Sequence, residues 1–158
     1  MKNRTVCFTG HRVLSVSEKE EISRKLRNVI ESLIKTGYCY FGAGGALGFD
    51  TLASELILDL KSEYPHIKLI LVLPYFAQAK GWNEYERKHY EEIKRQADKV
   101  VYTSDGYTKG CFHKRNRHLV DNSSMCICYL TENRGGTYYT VNYAKKKALQ
   151  IINIAIEN

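Results

Sequence analysis

Hydrophobic positions along the chain switch period repeatedly. "TVCFTG" (Thr5–Gly10) is a short β-like run. Ile22, Leu26, Val29, Ile30, Leu33 and Ile34 then recur at helical spacing and share one face. Ser17 with Glu20 has the spacing of a capping box for that helix, and Gly37 is placed to stop it. "YCYFGA" (Tyr38–Ala43) predicts a second strand, and Leu52, Ala53, Leu56, Ile57 and Leu60 predict a second helix. "KLILVL" (Lys68–Leu73) is a continuous apolar run ending at Pro74, the pattern of a strand buried on both faces. A polar helix over about Asn83–Ala97 follows, then "KVVYTS" (Lys99–Ser104) as a fourth strand. "KRNRHLVDNS" (Lys114–Ser123) predicts a helix and "SMCICYL" (Ser124–Leu130) a fifth strand. "GGTYYTVNYAKKKAL" (Gly135–Leu149) predicts the last helix, and "QIINIA" (Gln150–Ala155) a short sixth strand.

Strands alternating with helices imply a parallel sheet covered on both faces. With right-handed crossovers this is an α/β fold: a Rossmann-like, doubly wound, mostly parallel sheet of five to six strands. No linker, repeat or low-complexity tract divides residues 1–158, so one domain is expected. The pattern does not carry the strand order.

In such folds ligands bind outside the carboxyl ends of the strands, where the strand order reverses. The residues following each strand are therefore the candidates. "TGHR" brings Gly10, His11 and Arg12, and "GAGGALGFD" brings Gly44, Gly45, Gly48 and Asp50. "PYFAQAKGW" brings Gln78 and Trp82, and "DGYTKGCFHKRNRH" is basic and aromatic. "TENRGGT" brings Gly135, Gly136 and Thr137.

Each has two readings. The first glycine turn either lets backbone N–H groups approach a phosphate at a helix N-terminus, or is a plain strand-to-helix turn with Asp50 stabilising the helix start. It is neither a Walker A motif nor GxGxxG. Thr137 is a phosphate hydroxyl donor or an ordinary cap. Arg12 is a bidentate anion clamp or a surface ion-pair partner. His11 contacts ligand or serves structure. Trp82 stacks on a ring or packs in the core. Arg115 and Arg117 reach a ligand or form a solvated face. His113 and His118 lack a third metal ligand, so no metal site is expected.

A formal net charge of +7 permits an anionic partner without demanding one. Hydrophobic residues at 44% and charged residues at 26% exclude a disordered chain. The N-terminal apolar run is too short for a signal peptide, and no stretch approaches the roughly 20 apolar residues of a membrane helix. The five cysteines form no CxxC pair, and their odd number argues against a disulfide framework, so a reduced, cytoplasmic setting is expected.

"FTGHR" (Phe8–Arg12), "GGALGFDTLA" (Gly44–Ala53), "RNRHLVDNS" (Arg115–Ser123) and "GGTYYTVNYA" (Gly135–Ala144) together resemble the YpsA-like family of the SLOG superfamily. That superfamily also includes the DNA-processing protein DprA and the LOG cytokinin-activating enzymes. The resemblance implies a Rossmann-like domain holding a nucleotide or nucleotide-derived ligand, ADP-ribose or NAD-like compounds among them. By position its pocket would use Gly10, His11, Arg12, Gly44, Gly45, Gly48, Asp50, Arg115, Asn116, Gly135, Gly136 and Thr137, with Gln78 and Trp82 also matching a family feature.

LOG-type hydrolases carry a PGGxGTxxE-like motif with a catalytic Glu. Here "RGGTYYTVNYA" has Thr140 and Val141 and no Glu in that segment. The expected function is thus non-catalytic nucleotide-ligand binding by a sensor or regulator. The alternatives are an N-glycosidic hydrolase using His11, Asp50 or Glu84, and a DprA-like single-stranded nucleic-acid binder. The tyrosine-rich last helix and family habit imply a homodimer or larger oligomer.

Overall fold

The structure is a computed structural model and describes residues 1–156. After a short 3-10 turn it runs β1 (Thr5–Gly10), α1 (Val16–Lys35), β2 (Tyr40–Ala43), α2 (Phe49–Leu60), β3 (Lys68–Leu73) and α3 (Glu84–Gln96). It continues β4 (Lys99–Tyr102), α4 (Cys111–Asp121), β5 (Met125–Tyr129), α5 (Gly135–Lys146) and β6 (Gln150–Asn153). The six strands form one sheet in the order β4-β3-β2-β1-β5-β6, and every pairing is parallel. This is the Rossmann-like α/β fold the alternation predicts, with all rather than most strands parallel.

Alternation along the central strands divides the core in two. Val6 and Phe8 of β1 and Met125 and Ile127 of β5 pack with residues of α1, α2 and α3. Cys7, Cys126 and Cys128, one step out of phase on the same strands, pack with Leu119 and Val120 of α4 and Val141 and Ala144 of α5. Helices thus cover both faces. All five cysteines are free and buried, small hydrophobes rather than crosslinks. Among the described residues no helix is long and apolar enough to cross a membrane.

Some boundaries differ from the predicted ones. The capping box of α1 is Ser15 with Glu18, two residues before the Ser17–Glu20 pair. Glu18 N donates to Ser15 Oγ at 3.1 Å, and Ser15 N donates to Glu18 Oε1 at 2.9 Å. Both pairs fit the local spacing, and a tertiary contact favours the first: Tyr129 Oη at the end of β5 donates to Glu18 Oε2 at 2.9 Å. Gly37 does stop the helix, at φ +113, with its N–H donating to Ile34 O.

Helix α4 starts at Cys111 rather than Lys114, because Gly110 takes a left-handed conformation just before it. Helix α5 ends at Lys146 rather than Leu149: Ala148 turns to φ +62 and Leu149 folds back into the core. β2 begins at Tyr40, two residues later than predicted.

Candidate ligand site at the carboxyl ends of the strands

Chain progression runs from β1 outward to β4, then returns to place β5 on the other side of β1. The reversal point therefore lies between β1 and β5, and the loops that follow them flank it. His11 spans this crevice. Thr131 N donates to His11 Nε2 at 3.0 Å, and Thr131 Oγ1 lies 3.0 Å from the same nitrogen. That donation needs the Nε2 lone pair, so a neutral His11 carries its proton on Nδ1. The ring also stands edge-on to Tyr129 at 5.8 Å. His11 ties two loops together. Thr131, its partner, was not legible in the sequence, because any backbone N–H can fill the role.

The "GAGGALGFD" turn packs tightly against this loop. Phe49 N donates to His11 O at 3.1 Å. Gly48 has φ +78, and a Cβ there would lie 2.3 Å from Arg12 O. Only glycine meets both demands. At Gly44 a Cβ would lie 2.7 Å from an Arg115 guanidinium nitrogen, and at Gly10 and Gly45 it would strike the Phe49 and Leu73 side chains. Protein atoms thus occupy the room left by these four side chains. Asp50, in the first turn of α2, accepts from Ala46 N at 3.2 Å and so braces the turn; Gly48 is the N-cap.

"RGGT" differs. Gly135 and Gly136 are exposed, and a Cβ on either would meet nothing within 4 Å. The N-cap of α5 is Arg134, whose side chain makes no capping bond, so Thr137 is not the cap. Thr137 is 8% exposed, inside the first turn. The open glycine turn is the second one, not the first.

Arg115 is 3% exposed and Asp50 7%. Burial pushes the Asp50 carboxyl up; the Arg115 guanidinium, the Ala46 N–H and Arg12 pull it back. Burial likewise pushes Arg115 down, opposed chiefly by Asp50. Arg115 donates from Nη1 to Gly44 O, and from Nε to Asn116 Oδ1 at 2.7 Å. Asn116 is thereby placed as the guanidinium's support. Two cations lie over the ring of Phe112, Arg115 Cζ at 5.8 Å and Arg12 Cζ at 5.1 Å. Arg12 itself is exposed, and among the described residues it enters no ion pair with a carboxylate.

Gln78 and Trp82 stand behind the first turn. Gln78 Nε2 donates to Gly45 O and to Tyr90 Oη, both at 3.3 Å, while its buried Oε1 has no partner. Burial pushes the Tyr90 hydroxyl up to about 12. Trp82 is half-buried and packs edge-to-face on Tyr90 at 5.2 Å. Arg117 donates to Tyr139 Oη at 3.1 Å on the α4–α5 surface, and His113 stacks obliquely on the same ring at 4.1 Å. Among the described residues no three His, Cys, Asp or Glu gather to hold a metal. Thr140 and Val141 are buried on α5, the segment where LOG hydrolases carry Glu.

Similar folds are known. The chain aligns with DprA from Streptococcus pneumoniae at a TM-score of 0.68 and 16% identity, covering 95% of this chain and 50% of that one. DprA from Helicobacter pylori, whose structure describes a single-stranded DNA binding mode, aligns at 0.65 and 21% identity, covering 95% and 64%. In both cases the likeness is one of fold, over a part of the longer DprA chain. In sequence the chain is 33% identical over 142 residues to the SPbeta prophage-derived protein YoqJ of Bacillus subtilis, covering 82% of this chain and 83% of that one. Residues 6–157 match the YpsA family model, described as the YspA SLOG family. With the parallel sheet, the two glycine turns and this match across nearly the whole length, the chain belongs to the YpsA family of SLOG proteins.

Proposed function

We propose that the carboxyl ends of β1, β2 and β5 bind a nucleotide or nucleotide-derived ligand, and that the protein acts through this binding as a sensor or regulator rather than as an enzyme. The observation that carries the reading is Arg12. It is an exposed guanidinium at the reversal point, steadied on Phe112 at 5.1 Å and, among the described residues, free of any carboxylate partner. A guanidinium so placed is suited to a phosphate. The uncapped, open N-terminus of α5 on the same rim offers further N–H donors and a favourable dipole.

The site's other groups do not favour catalysis. The His11 Nε2 lone pair is occupied by Thr131, Asp50 is buried beside Arg115, and α5 lacks the LOG glutamate. A thermal-shift panel of mononucleotides, dinucleotides and ADP-ribose tests the reading. A ligand at about 100 times its Kd adds roughly 2.7 kcal/mol of stability. Arg12→Ala should abolish that shift. No shift with any compound, or an undiminished shift in Arg12→Ala, sinks the proposal.

Exposed rings beside cations favour a second reading, single-stranded nucleic-acid binding. Lys94 Nζ lies 4.8 Å over Phe76, and Arg117 holds Tyr139. The likeness to Helicobacter pylori DprA, a single-stranded DNA binder, supports it by fold alone. Binding of an oligothymidylate that falls steeply with salt would establish it, and its absence at low salt would remove it.

A further inference from the structure

A cleft of about 670 Å³ opens between the loops that follow β3 and β4, lined by Tyr75, Phe76, Gln78, Lys80, Asp105 and Tyr107. Its size is that of a small-molecule site. Resting on the nucleotide-ligand reading above, we propose that this cleft seats the aromatic base of the ligand, a nucleobase with an amino donor, while Arg12 takes the phosphate.

Three observations converge on it. First, the walls are aromatic. Tyr75 and Tyr107 meet at 5.9 Å with their planes 78° apart, forming a corner in which a flat ring lies face-on to one and edge-on to the other. Phe76 and Tyr107 are 70% and 69% exposed, although they line the same concavity. Core packing does not account for rings left in water.

Second, Gln78 lines the cleft at 8% exposure with its Oε1 unpaired, and both Nε2 protons are already directed to Gly45 O and Tyr90 Oη. A bare buried acceptor calls for a donor, and an exocyclic amine on the base supplies one. Third, the ring cluster continues toward the cation. Phe112 touches Tyr75 at 6.2 Å and Tyr107 at 6.4 Å, and Arg12 Cζ sits 5.1 Å from the same Phe112 ring. One aromatic side chain thus touches both the rings of the base seat and the phosphate clamp. Asp105 at the cleft offers a carboxylate to sugar hydroxyls.

Calorimetric titration of the full chain with adenosine 5′-monophosphate and with ribose 5-phosphate tests this. The nucleotide should bind roughly fivefold or more tightly than the base-less sugar phosphate, because base stacking on an aromatic wall supplies at least that factor. Tyr107→Ala should erase the difference, leaving ribose 5-phosphate binding and the unfolding midpoint unchanged, since the ring is mostly exposed. Purine riboside 5′-monophosphate, which lacks the amino group, should bind roughly tenfold more weakly than the adenosine nucleotide. Equal binding of the nucleotide and ribose 5-phosphate, or full nucleotide affinity in Tyr107→Ala, overturns the base seat but leaves the anion site standing. Equal binding of the two purine nucleotides overturns the amino contact to Gln78. Binding of neither nucleotide nor sugar phosphate overturns both this inference and the function it rests on.

Discussion

Arg115 on α4 donates a hydrogen bond to the carbonyl oxygen of Gly44, 71 positions earlier in the chain, and Gly44 must be glycine for the guanidinium to fit. One buried side chain thereby holds the first glycine turn against α4, with Asp50 balancing its charge. That relationship gives "GAGGALGFD" its shape.

Arg115→Met should therefore unfold easily. It leaves the Asp50 carboxylate buried without its main counter-charge and Gly44 O without its donor. Removing the donor of a buried hydrogen bond costs about 1–3 kcal/mol, and more where the group is charged. Urea denaturation should show this loss, and Arg115→Met with Asp50→Asn should recover part of it. An additive double variant would mean that the two side chains are not coupled.

The two glycine turns should respond oppositely to alanine. Gly48→Ala forces a Cβ to within 2.3 Å of Arg12 O at φ +78, so a loss of about 2 kcal/mol or more is expected. Gly136→Ala places its methyl in open space inside a helix, where alanine is favoured by roughly 0.5–1 kcal/mol. Thermal unfolding of both variants measures the contrast.

Asp98 gives a pH-dependent contribution of known sign. Burial raises its pKa, but Lys61, the Leu69 N–H and Lys68 together outweigh that and hold it below its usual 3.8. Lys61 Nζ donates to it at 2.6 Å and Leu69 N at 2.8 Å. A depressed folded-state pKa contributes stability that is present above pH 3.8 and lost as pH falls through the folded value. Asp98→Asn should cost about 1–3 kcal/mol at pH 7, and the gap to wild type should close in acid below pH 3.8. A gap independent of pH would show that the charge is not what matters.

The thiols should be silent in the folded protein. All five are buried; Cys128 is pushed up to about 12 by burial, and Cys126 is raised well above its ordinary value by its hydrogen bond with Cys7 and by burial. Ellman's reagent at pH 8 should titrate far fewer than one thiol per chain within minutes, and all five in denaturant. Rapid native labelling would reveal a thiol more accessible than the core allows.

Local pattern was sufficient for the elements themselves. The helical stripe from Ile22 to Ile34 and the apolar run "KLILVL" each announce their period within one short window, because the period reflects only which face meets the core. The rim could be named as well. Whatever the strand order, the carboxyl ends of parallel strands lie at one edge of the sheet, so His11, Arg12, Arg115 and the glycine turns had to gather there.

Partnership was out of reach. Ser15 and Ser17 offer equivalent capping boxes, and the contact from Tyr129 to Glu18, 111 positions apart, accompanies the one that forms. The two glycine turns look alike in sequence, yet one is filled by Arg115, Leu73 and the Arg12 carbonyl while the other stands open. Phe112, Tyr75 and Tyr107 showed only as scattered aromatics until the fold brought them together. Secondary structure follows from neighbours a few residues away, whose spacing the chain itself displays. Which loop fills which turn follows from strand order and close packing, and that information resides in contacts between segments many tens of residues apart.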